Sequence, residues 1–186
     1  MMRFVLIAAL AALTACAPQP ERRTSNVPLT TVAEVDLERY LGRWYEIARY
    51  DSRFERGCDG VTADYVRGED GEISLINTCY REGLDGPAEE ARGRARVVPG
   101  SNNAKLEVSF FGPFWGDYWV IELDEAEYQW AVVSEPRGRY LWILSRTRQM
   151  EDTVLDARLA RLEAMGFDTG ALVWPVHEQG TGARRR

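Results

Sequence analysis

Between residues 43 and 146 the chain is cut into short β-rich runs by turn residues, and only one long helix is credible, after the last of them. No pattern in the chain constrains the fold more tightly. The runs number eight: Trp44–Asp51, Val61–Arg67, Glu72–Tyr80, Ala91–Val98, Ala104–Phe110, Tyr118–Leu123, Gln129–Glu135 and Tyr140–Arg146. Their spacing is that of a sandwich or a barrel. Several alternate strictly, as where Gly93, Ala95 and Val97 interleave with Arg92, Arg94 and Arg96, or Leu106, Val108 and Phe110 with Lys105, Glu107 and Ser109. Such strands turn one face to a core and the other to water. Turns at Glu69-Asp70-Gly71 and Pro99-Gly100-Ser101-Asn102 are short, which makes the flanking strands antiparallel hairpins.

The helix runs from about Glu151 to Met165, with Val154, Leu155, Leu159, Leu162 and Met165 at helical spacing and Gly166 where a C-cap belongs. One helix cannot cover eight meandering strands on both faces, so the strands must close on themselves to hide their edges. The expected fold is all-β: an eight-stranded antiparallel up-and-down barrel with one C-terminal α-helix packed outside. A barrel of that size is just wide enough to hold one small ligand.

Residues 1–15 read as an export signal. Arg3 supplies the positive start, and the apolar run Phe4 to Leu13 is too short to span a bilayer. It ends in Leu13-Thr14-Ala15-Cys16, which resembles the lipobox of bacterial lipoproteins; by that resemblance the mature chain begins at an acylated Cys16, bearing the more than one chain that stable anchoring requires. Position 17 is Ala and not Asp, which favours a lipid anchor in the outer membrane, facing the periplasm. The division expected is a signal at 1–15, an acylated N-terminus and proline-bearing tether at 16–34, a barrel domain at 35–176 and a tail at 177–186.

A formal charge of −6 argues against a nucleic-acid partner, and Arg184, Arg185 and Arg186 read as a solvated end. The single histidine, His177, lies in the tail, so no Ser-His-Asp or Cys-His arrangement can be built inside the barrel. No metal site and no cofactor are expected from this composition.

Gly42-Arg43-Trp44-Tyr45 at the head of the first strand resembles the Gly-x-Trp signature of lipocalins, and the last strand ends in Arg146 like the arginine-bearing third motif of that family. Gly116-Asp117-Tyr118 stands for the middle motif, departing from the commoner Thr-Asp-Tyr. The resemblance spans roughly residues 35 to 176 and is nearest to the bacterial outer-membrane lipocalins. It implies that Gly42, Trp44 and Arg146 are structural, the arginine packing against the tryptophan across a closed base. It also implies a carrier of fatty acids or lysophospholipids rather than an enzyme. The alternatives are a lipocalin-type enzyme using a cavity cysteine or carboxylate, and a purely structural envelope lipoprotein.

Stepping by two from Trp44 and Arg146 assigns the interior. The ligand-facing set is then Ala48, Tyr50, Val61, Tyr65, Leu75, Asn77, Val97, Leu106, Val108, Phe110, Trp119, Ile121, Tyr140 and Trp142, with Glu46, Ala63, Gly93, Ala95, Leu123 and Leu144 also inward. Small Ala48, Ala63, Gly93 and Ala95 leave room for a ligand; the competing reading is a filled, dry core. The aromatic segment from Phe110 to Gly116 falls at the open mouth and has three candidate roles, a lid, a homodimer contact or a membrane contact, against the alternative of an aromatic mini-core with Pro113 stiffening the turn.

With Cys16 acylated, Cys58 and Cys79 remain as an even pair in an oxidising compartment, which makes a disulfide the default. The turn at residues 68–71 sets a register in which Tyr65 faces Ile73 and Cys58 falls within one position of the residue facing Cys79, a bend near Gly57 and Gly60 supplying the offset. The alternative is that one cysteine is a free cavity nucleophile.

Overall fold

The computed structural model describes residues 19–68, 72–83 and 85–177; the export signal, Cys16, the Glu69-Asp70-Gly71 turn and the terminal arginines lie outside them. A short helix α1 (Leu37–Tyr40) leads into β1 (Gly42–Tyr50), β2 (Gly60–Arg67), β3 (Ile73–Tyr80), β4 (Ala88–Val97), β5 (Lys105–Ser109), β6 (Gly116–Leu123), β7 (Trp130–Ser134) and β8 (Leu141–Ser145). Helix α2 (Asp152–Ala164) and a two-residue strand β9 (Leu172–Val173) complete the order. Consecutive strands pair antiparallel, and β1 closes the barrel by pairing β2 through Gly42–Tyr45 and β8 through Tyr45–Arg49. Above Tyr45 the free edge of β1 takes β9 instead of β2. The expected fold class is the one found; α1 and β9 are too short to leave a periodic signal.

Chain direction sets the two ends. The start of β1, α1 and the β4–β5 turn lie at the base, whereas loops 51–59, 81–87, 110–115 and 135–140 surround the mouth. Two apolar cores result. One fills the barrel around Trp44, Tyr65, Leu75, Leu106, Val120 and Val133. The other lies outside the wall, where α2 covers Ile47, Tyr50, Val132, Leu141 and Ile143 with Leu155 and Leu162.

Helix α2 ends as its sequence indicates. Gly166 has φ +89° and the Phe167 amide bonds the Leu162 carbonyl, a left-handed C-terminal turn. A Cβ at Gly166 would also lie 2.8 Å from Ser25, because the N-terminal segment runs there. Residues read as a tether are in fact strapped along the wall: the amide of Thr24 bonds Gly166 O, that of Val32 bonds Val120 O, and that of Val35 bonds Asn102 O.

The β2–β3 hairpin differs in register from expectation. Tyr65 faces Leu75, and Val61 faces Cys79, because the last ladder pair is Arg67 with Ile73 and the Gly68 amide bonds the Glu72 carbonyl. Cys58 therefore lies beyond the paired strand, in the mouth loop, where a bend at Gly57 (φ +78°) returns it to β3. The disulfide Cys58–Cys79 is formed, with Cα atoms 5.2 Å apart. Because the bridge closes a loop across 21 residues, replacing both cysteines by serine is expected to cost about 3 kcal/mol in the chain-entropy account. At this chain length that is a fall of roughly 6–12 °C in thermal midpoint. Calorimetry of the double variant, and of wild type in reductant, measures it; equal midpoints would show that the bridge contributes nothing.

Candidate functional site

Strand alternation puts a side chain inside the barrel only while the ladder keeps its parity, and two bulges break it. In β1 the register shifts between Glu46 and Ala48, so Glu46 faces in opposite Leu144 but Ala48 sits opposite Ile143 on the outer face. Ala48 and Tyr50 consequently pack in the outer core under α2, and Arg49 takes the inward place. In β6 the shift lies between Val120 and Glu122. Trp119 and Ile121 therefore face outward, and Tyr118, Val120 and Leu123 line the interior. These four inward assignments, Ala48, Tyr50, Trp119 and Ile121, are corrected.

The unbulged strands keep their parity. Tyr65, Leu75, Val97, Leu106, Val108, Phe110 and Trp142 pack into the inner core, while buried Val61 and half-buried Asn77 share the parity of Ala63 and Leu75. Tyr140 stacks flat on Trp142, ring centroids 5.8 Å apart. The space expected above Gly93 is taken: a Cβ there would lie 2.8 Å from the Phe110 ring. Ala63, Ala95 and Ala131 remain as small inward residues.

At the base, Gly42 (φ +91°) takes a conformation that a side chain resists, although a Cβ there would meet the Arg146 Nη1 only in ordinary contact at 3.5 Å. Arg146 lies over the Trp44 ring at 3.7 Å and donates to the carbonyls of Arg43 (3.0 Å), Arg39 (2.6 Å) and Tyr128 (3.2 Å). Trp44 in turn donates to the Tyr40 carbonyl at 2.9 Å. Above this plug three buried phenols are chained: Tyr65 donates to Tyr118 at 2.7 Å, and Tyr40 and Tyr118 are 2.8 Å apart. Burial drives all three pKa values upward, so they stay neutral.

Nearer the mouth the interior is ionic. Arg49 Nε lies 3.3 Å from Glu46 Oε2 and 3.5 Å from Glu55 Oε2, all three residues being buried. The arginine also donates to the Glu55 carbonyl at 2.9 Å, and Glu55 accepts from Ser52 Oγ (2.8 Å) and Trp142 Nε1 (3.1 Å). Two carboxyls share one guanidinium, so burial and the Glu55 charge hold the Glu46 carboxyl well above the usual carboxylate range. Its Oε2 has no aligned hydrogen bond, nor has Asn77 Oδ1. Sequence reading missed Arg49 and Glu55, one hidden by the bulge and the other in a loop. The adjacent apolar pair Ile47-Ala48 was the available signal of broken alternation.

His177 lies against the barrel, its Nε2 donating to the Glu46 carbonyl at 2.6 Å and its ring edge-on to Tyr45. It is on the outer face, and Cys58 is bonded to Cys79, so neither serves the interior. Among the described residues no group of His, Cys, Asp and Glu is placed to hold a metal.

A lipocalin-like domain model matches residues 35–177. The chain belongs to the lipocalin-like family. This lipocalin is 43% identical over 174 residues to the outer membrane lipoprotein Blc of Vibrio cholerae, covering 94% of the chain and 98% of that protein. It is likewise 43% identical to the Escherichia coli K12 protein of the same name, over 94% of each chain, and 37% identical to temperature-induced lipocalin-1 of Arabidopsis thaliana, over 80% of this chain and 83% of that one. Its fold is shared with insecticyanin of the tobacco hornworm Manduca sexta, at TM-score 0.65 and 20% identity, over 81% of this chain and 85% of that one.

Proposed function

We propose that this lipocalin, held by acyl chains on Cys16 at the outer membrane and facing the periplasm, carries a fatty acid or a lysophospholipid in its barrel for storage or transport within the envelope. The observation that carries the reading is the polarity gradient along the barrel axis: apolar Leu75 and Leu106 toward the base, and an ionic cluster of Arg49 with Glu46 and Glu55 toward the mouth. An acyl chain suits the first and a polar head the second. Two carboxyls facing one guanidinium favour a head with hydrogen-bond donors, an ammonium or hydroxyl, over a free carboxylate. The names of the bacterial relatives support the outer-membrane anchor. The bridged Cys58 and the outward His177 argue against the cysteine-based enzyme reading.

Native mass spectrometry of protein purified from its own membranes tests the proposal. A retained amphiphile is expected; a ligand-free species in every preparation would favour a filled structural barrel. The interior map has its own test. Val108→Asp places a charge on the half-buried inner wall among apolar neighbours, where an acyl chain would lie, and is expected to weaken a fluorescent lysophospholipid by more than tenfold, or 1.4 kcal/mol. Equal dissociation constants for a folded variant and wild type would remove Val108 from the binding surface.

A further inference from the structure

Five large hydrophobic side chains stand exposed among the described residues, and the three aromatic ones are all at the mouth: Phe54 (61%), Phe111 (66%) and Phe114 (77%). They occupy two loops on opposite sides of the barrel, since β1–β2 and β5–β6 are diametrically placed in the strand order. The other aromatics of the second loop are engaged elsewhere, Phe110 over Gly93 and Trp115 under Arg94 and Arg96 on the outer wall. Arg53 lies over the Phe54 ring at 5.1 Å, a cation beside an apolar tip.

The N-terminal strap reaches the same end of the barrel. Gln19 Nε2 donates to the carbonyl of Asp51, the residue following β1, and Arg22 is bonded through its amide to Gly138 in the β7–β8 mouth loop and through its carbonyl to Tyr50 Oη. Gln19 lies three residue steps from Cys16, a reach of at most about 11 Å. The base is some 25 Å further away, the length of an eight-residue strand.

We infer that the barrel docks mouth-down on the bilayer that anchors it, with Phe54, Phe111 and Phe114 entering the interfacial region on either side of the opening. The inference rests on the anchoring proposed above: a chain moored at Cys16 cannot present its base to the membrane while the strap stays bound. The rim aromatics then supply the second contact that fixes tilt, and the Arg53 guanidinium meets the phosphate layer as the Phe54 ring goes below it. An amphiphile passes between bilayer and barrel without crossing water.

Acylated full-length protein on phosphatidylethanolamine/phosphatidylglycerol vesicles with brominated acyl chains tests the orientation. The Cys16 acyl mass is read first. With Cys16 acylated and Cys58–Cys79 bridged, Phe114→Cys at the mouth and Pro99→Cys at the base each offer one thiol for an environment-sensitive fluorophore. Bromine quenching is expected at 114 and not at 99. Partition of the unacylated Cys16→Ser chain is expected to fall at least tenfold in Phe54→Ser/Phe111→Ser/Phe114→Ser. Acylated, vesicle-bound protein with no quenching at 114, or with equal quenching at both positions, would overturn the docking and leave the anchor standing. Absence of an acyl mass would overturn the anchor and the orientation argued from it. A dimer of the Cys16→Ser chain that the rim substitutions dissociate in sedimentation would assign the rim to a second copy instead.

Discussion

Trp44→Ala is expected to destabilise the barrel by about 3–5 kcal/mol, the cost of emptying a fully buried indole site. The loss exceeds the cavity itself. Arg146 would keep its three carbonyl acceptors but lose the ring beneath its guanidinium, and the Tyr40 carbonyl would lose its donor in a buried setting. The plug sits at the end of the barrel away from the mouth, so the variant should retain its order of preference among amphiphiles while its thermal midpoint falls by roughly 10 °C or more. Calorimetry and competitive titration separate the two effects. An unchanged midpoint would mean that the plug does not hold the base closed.

An effect of similar size is expected from Arg49→Leu, for the opposite physical reason. Removing the guanidinium that lies against both Glu46 and Glu55 strands two buried carboxyls, and breaking a buried pair in this way costs about 3–5 kcal/mol. The pH dependence identifies the cause. Glu46 has a folded-state pKa raised above its unfolded value, so its contribution is fully present below the ordinary carboxylate range and is lost as pH rises through the folded value. Urea unfolding should therefore show the deficit of Arg49→Leu growing from pH 5 to pH 8. Glu46→Gln, which removes the titration, should be more stable than wild type at pH 8 with the difference shrinking toward pH 5, and should rescue part of the loss in the double variant. A deficit independent of pH, with no rescue, would show that Arg49 acts by packing alone.

Legibility of the sequence followed the chemistry of each strand. Strands β4 and β5 meet core on one face and water on the other, so Gly93, Ala95, Leu106 and Val108 declared their direction by alternation with charged neighbours. The Cys58–Cys79 bridge, the outer helix and the closed barrel followed from local pattern, turn residues and the need to hide strand edges. Strands β1, β6 and β8 are covered on both faces, by the inner core and by α2, and apolar residues there satisfy either direction. Ile47-Ala48 and Val120-Ile121 each sit at a bulge that no residue type in them requires. Only the tertiary packing decided those parities: the bulge in β6 delivers Glu122 to Arg158 (2.9 Å) and Arg161 (3.4 Å) on α2, and the one in β1 turns Arg49 inward to Glu46 and Glu55. The same holds for the N-terminal strap, whose proline-bearing sequence has no period but whose backbone amides find partners on the wall at Gly138, Gly166, Val120 and Asn102. Sequence by itself determined the barrel, because periodicity and turn chemistry are local, while its closed base was implied by the resemblance of Gly42, Trp44 and Arg146 to family motifs; structure alone decided which side chains face the interior and where the N-terminal strap runs, because a one-residue shift in register has no local cost that a sequence records.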